Sequence, residues 1–99
     1  MSDNEPKAPE TQIASIPTVL EWQKSYGRSC EGNDQKAVRI FRDYESKEKV
    51  RRLQNELQLI KDDKVRENVL EEVVGKKRMQ KYQSYSGWAK LMLLWIVAK

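Results

Sequence analysis

Histidine is absent from this 99-residue chain, and cysteine occurs once, at Cys30. Without histidine the commonest general base and metal ligand is missing, and no Ser-His-Asp or Cys-His arrangement can form. A single cysteine makes neither an intramolecular disulfide nor a metal cluster, which suits a reducing compartment. No imidazole activates its thiol, so Cys30 is read as a bystander rather than a nucleophile. The four glycines stand singly, which leaves no phosphate-cradling loop and no dinucleotide fingerprint. The carboxylate pairs Asp62/Asp63 and Glu71/Glu72 are neighbours in sequence. On a helix such neighbours point about 100° apart and do not share a site. These absences predict a protein that is not an enzyme and holds no cofactor or metal.

Long hydrophobic runs are missing too. The longest, Leu91 to Ala98, follows Lys90 and Gly87 and falls far short of the ~20 residues of a membrane-spanning helix. No transmembrane span is expected. The first residues, Met1-Ser2-Asp3-Asn4-Glu5, carry neither a secretory nor a mitochondrial pattern, so a cytoplasmic or nuclear location is expected. Apolar residues make up 38% and charged residues 34%. The first value lies below the ~45–50% usual for a globule on a count that also includes Gly. Either the core is thin or a partner completes it.

What is present is an uneven charge. Residues 1–35 carry 3 basic and 6 acidic groups, 36–60 carry 7 and 4, 61–74 carry 3 and 5, and 75–99 carry 6 and 0, within a net +4. An acid-free basic segment attracts phosphate, anionic lipid or an acidic protein surface. The plainer alternative is that these lysines keep an apolar segment in solution.

Apolar spacing supplies the fold class. Residues 1–15, with two prolines and three acids, read as a disordered N-terminal tail. Residues 16–99 read as one helical interaction domain. Thr18 and Glu21 have capping-box spacing, Val19, Trp22 and Tyr26 share a face, and Gly27 ends a helix near 18–26. Trp22 is expected in the core. Asn33 or Asp34 caps the next helix, which presents Ala37, Ile40, Phe41 and Tyr44. The stripe then shifts to Val50, Leu53, Leu57 and Ile60, which predicts a break near Ser46; a single helix using two faces is the alternative. The stripe spans barely two heptads, too few for a coiled coil. Asp62 or Asp63 caps a further helix with Val65, Val69, Leu70 and Val73 inward, ended by Gly75. The short connection predicts that 47–60 and 63–74 form a central helical hairpin. Met79, Tyr82 and Tyr85 share a face, Ser86 and Gly87 punctuate, and a last helix presents Trp88, Leu91, Met92, Trp95 and Ile96. The expected architecture is all-α, a small bundle of four to five short helices.

Three binding readings follow. In the first, Trp88, Leu91, Met92, Trp95 and Ile96 have the i, i+3, i+4, i+7 spacing of helix-in-groove recognition, and dock a protein partner. The same spacing also serves a helix that closes the chain's own bundle. In the second, Lys76, Lys77, Arg78 and Lys81 neutralise the phosphates of a nucleic acid while Tyr82 and Tyr85 stack its bases. In the third, residues 76–99 lie on a membrane surface. The protein-interaction reading, an adaptor or small subunit of a larger complex, leads the other two.

Overall fold

The computed structural model describes residues 15–30 and 32–98. The expected tail lies, except for Ser15, outside the described residues. Among the described residues there are six α-helices and no strand: α1 Pro17–Trp22, α2 Asp34–Tyr44, α3 Lys47–Lys61, α4 Glu67–Val73, α5 Lys76–Tyr82 and α6 Tyr85–Val97. The all-α expectation holds. The count exceeds four to five because Lys76–Tyr82 forms a separate helix, stopped by Gln83 at φ 71°. Helix α1 runs on as a π-helical turn, Gln23–Gly27, so its extent matches the expected 18–26 to within a residue.

Several helix ends are set locally. The break at Ser46 is present: its side chain accepts a hydrogen bond from Lys49 N, opening α3. Asn33 caps α2 by accepting from Lys36 N. Ser84, not Ser86 or Gly87, opens α6 by accepting from Gly87 N at 2.9 Å. Hence the boundary falls ahead of Tyr85 rather than at 86–87. Gly75, at φ +97°, separates α4 from α5 in a conformation that side-chain-bearing residues avoid.

Other ends are set at long range. The Thr18–Glu21 capping box does not form. Pro17 occupies the first turn of α1 and Ile16 the cap position, with no side-chain cap of its own. Instead Glu56 of α3 reaches the open amides: Thr18 N donates to its Oε2 at 3.1 Å and Val19 N to its Oε1 at 2.8 Å. A carboxylate at a helix N-terminus satisfies free donors and meets the positive end of the helix dipole. At the far end of the chain, Arg42 Nη1 donates to the carbonyl of Ile96 at 3.2 Å and to that of Ala98. This is the matching cation at a helix C-terminus. Neither Asp62 nor Asp63 caps α4: Asp62 closes α3, and Arg66 precedes α4.

The core contains Val19, Trp22, Val38, Phe41, Leu53, Leu57, Ile60, Trp88 and Met92, each with no exposed surface. The stripe Leu53, Leu57, Ile60 is therefore inward as expected, with Val50 packed at its edge. Helix α2 departs at its end: Tyr44 is 80% exposed, and Val38 takes a core place instead.

The expected hairpin of 47–60 with 63–74 is not the central pairing. Helix α3 packs most extensively on α6, and α2 is the second partner of α6. After α3 the chain turns through Asp63 in a left-handed conformation, φ 60°. Helix α4 then begins only at Glu67 and is two turns long, adding Leu70 to the core with Val74 just behind it. The physical reason is buried area: α6 brings Tyr85, Trp88, Ala89, Met92 and Ile96, far more apolar surface than α4 offers. Two contacts fix its direction. Ser86 Oγ donates to the Lys61 carbonyl at 2.7 Å, at the end of α3. Arg42, at the end of α2, holds the end of α6. Helix α6 thus runs with α2 and against α3.

Candidate functional site

The most densely bonded polar group in the core is Asp34, the first residue of α2. Its side chain is 2% exposed. Its Oδ2 accepts from Arg78 Nε at 2.8 Å and from Trp88 Nε1 at 2.9 Å, and its Oδ1 accepts from Arg78 Nη2 at 2.8 Å. Arg78 Nη1 also donates to the Val74 carbonyl at 2.9 Å. The guanidinium lies 5.3 Å from the Trp22 ring centre and 5.9 Å from that of Trp88, and the two indoles are 6.0 Å apart. Two-point carboxylate pairing and stacking on indole are both properties of arginine that lysine lacks. The cluster joins α1, α2, α5 and α6 at one point.

This placement revises the sequence-based site. Arg78 is not a free, solvent-facing cation like its neighbours, because Asp34 pairs with it and two indoles flank it; its side chain is 13% exposed. Tyr85 is buried and cannot stack on a base. Burial, then the charges of Glu71 and Glu67, raise its phenol above the ordinary range. Lys76, Lys77 and Lys81 do face solvent, and Tyr82 is half-buried. Trp88, Met92 and Ile96 are core residues, with at most 2% exposure, so they close the chain's own bundle rather than meet a partner. Leu91 and Trp95 are half-buried.

The outward side of α6 is a different set. Leu94 is 56% and Val97 61% exposed. With Lys90 they recur at steps of four and three residues, which puts all three on one face. Leu91 and Trp95 flank that face. In the sequence Leu94 and Val97 stand out only as members of the apolar run Leu91 to Ala98. Their distinction from Trp88 and Met92 needed the direction of the bundle. On the other flank of Trp95, a cleft of about 540 Å³ is lined by Gly32, Asn33, Asp34, Lys81, Tyr82 and Trp95. The Tyr82 ring meets that of Trp95 edge-on at 6.4 Å.

A second polar network joins α1 to the α2–α3 junction. Tyr26 Oη donates to Glu45 Oε2 at 2.5 Å, and Lys49 Nζ lies 2.7 Å from Glu21 and 3.3 Å from Glu45. The bond to Glu45, together with burial, pushes the Tyr26 phenol up to about 12. The same bond, followed by that from Lys49, lowers the Glu45 carboxyl. The two carboxylates raise the Lys49 ammonium. These shifts stabilise one charge pattern at neutral pH and gather no nucleophile beside a base.

Among the described residues, no group of three or more His, Cys, Asp or Glu side chains is arranged to hold a metal. No helix among them is long and apolar enough to cross a membrane. Comparison with protein-family models, curated proteins and solved structures finds no match.

Proposed function

We propose that this protein is a non-catalytic helical interaction module, an adaptor or small subunit, that docks a protein partner on the outward face of α6. The observation that carries this reading is the exposure of Leu94 and Val97 on a helix whose other side fills the core. The contact consists of Leu94 and Val97, with Leu91 and Trp95 at its edge. An exposed tryptophan edge beside aliphatic groups is the composition of an interface anchor. Lys90 and Lys81 border the patch, and the net charge of +4 disfavours a second copy of the chain as occupant. The partner is therefore an acidic protein surface with an apolar centre.

A photo-crosslinking residue placed at position 94 tests this in the native host. The expected result is one discrete crosslinked protein, lost in a chain that also carries Val97→Glu. A crosslinker at the exposed Asn55 of α3 should capture none. Equal capture from both positions, or a crosslink only to the chain itself, would overturn the reading.

A further inference from the structure

A second cleft, about 400 Å³, lies between the π-helical turn of α1 and helix α5. Four of its lining side chains are cationic: Arg28 from one wall, and Lys77, Arg78 and Lys81 from the other. Among the described residues the carboxylate in its wall is Asp34, whose two oxygens already accept three hydrogen bonds from Arg78 and Trp88. Asp34 thus offsets the charge of Arg78, and among the described residues Arg28, Lys77 and Lys81, whose Nζ also reaches the Gly32 carbonyl at 3.4 Å, stand around the opening.

The floor of this cleft is held rigidly. Asp34 and the Val74 carbonyl fix the Arg78 guanidinium, yet its Nη1 and Nη2 each bear a second N–H beyond the bonds they make there. Gly27 lets the Gln23 and Arg78 side chains pack closely against the π-helical turn: a Cβ at that position would collide with Gln23 Oε1 and stand 3.3 Å from Arg78 Nη2. Cations on two opposed walls around an arginine with spare donors form a pocket, not a flat basic strip.

We infer that this cleft binds a terminal phosphate group. A dianion entering end-on meets Arg78 at the floor and Arg28, Lys77 and Lys81 around the opening, with charge-assisted hydrogen bonds available from both walls. A phosphodiester backbone carries one charge per phosphate and must continue on both sides, which the opposed walls do not favour. The cleft shares Lys81 with the border of the α6 face but does not depend on the docking reading.

The test is a titration of the full chain with inorganic phosphate at constant ionic strength, read by tryptophan emission, since Trp22 and Trp88 flank Arg78. The expected result is a saturable change, weakened about tenfold in Lys77→Ala/Lys81→Ala. A Lys47→Ala/Arg51→Ala chain, with the same charge removed from exposed positions on α3, should bind as the parent does. A phosphoserine peptide that binds more tightly than inorganic phosphate would identify a phosphorylated side chain as the source; equal binding would identify a small phosphorylated molecule. Absence of saturation, or equal weakening in both double variants, would overturn the assignment. So would tighter binding of a single-stranded oligonucleotide without terminal phosphates.

Discussion

Arg78 and Asp34 stand 44 residues apart in sequence and meet through two hydrogen bonds of 2.8 Å each. Trp88 Nε1 completes the environment of the carboxylate. Removing one member of such a buried pair leaves the other charge without compensation, at a cost of about 3–5 kcal/mol. Asp34→Ala should therefore lower the urea midpoint sharply. A double replacement, Asp34→Ala with Arg78→Met, should recover part of that loss because no charge stays buried. A single-variant cost below about 1 kcal/mol, the range of exposed pairs, would show that water screens this one.

Glu56 acts across two helices. Its carboxylate accepts from the amides of Thr18 and Val19, so Glu56→Ala should cost about 1 kcal/mol, the usual effect of losing an N-cap. The diagnostic measurement is amide hydrogen exchange. Protection at Thr18 and Val19 should fall more than in the body of α3. A uniform loss across both helices would instead indicate a packing defect.

The opposite end of the bundle makes the complementary case. Arg42→Ala frees the carbonyls of Ile96 and Ala98 from their side-chain donor, and should cost about 0.3–1 kcal/mol. Amide exchange near the end of α6 reports it. Arg42→Lys should restore only part of the protection, because lysine presents a point charge in place of a fork.

Two limbs of the pH profile trace to the Tyr26–Glu45 bond. The Glu45 carboxyl is lowered from 4.5, so its contribution is present above that value and disappears as pH falls through the lowered one. Tyr26 is raised from 10.0 to about 12. Its contribution is complete below pH 10 and disappears as pH rises toward 12, and the raised Lys49 adds to the same alkaline limb. Tyr26→Phe should flatten both limbs in denaturation midpoints measured against pH. It should also delete the highest-titrating tyrosine from the ultraviolet titration. An unchanged alkaline slope would refute the bond as its origin.

The elements most legible in the sequence are those set by local chemistry. Ser46 and Asn33 cap as their positions suggest, and Leu53, Leu57 and Ile60 turn inward because their spacing leaves one face. Trp22 is a core residue, as its amphipathic helix implied. What escaped were relations between distant segments. Asp34 reads locally as a helix cap, and Arg78 as one cation among several. Nothing in either neighbourhood signals the other. The same limit hid the cap from Glu56 and the pairing of α3 with α6. A short connection argues for adjacency of 47–60 with 63–74, but the larger apolar face of α6 wins the competition for α3. Within α6 itself the apolar arc is so wide that periodicity could not tell Trp88, which faces inward, from Leu94, which faces out.

The position of α6 between α2 and α3 has a consequence for biosynthesis. Helix α6 is made after the two helices it joins, so the nascent chain lacks the apolar surface that α2 and α3 bury against it while residues 85–97 are still inside the ribosomal tunnel. Completion of the core therefore follows the emergence of that segment. Chains stalled before Tyr85 should accordingly give no sigmoidal melting curve, whereas chains released after Val97 should melt as a unit.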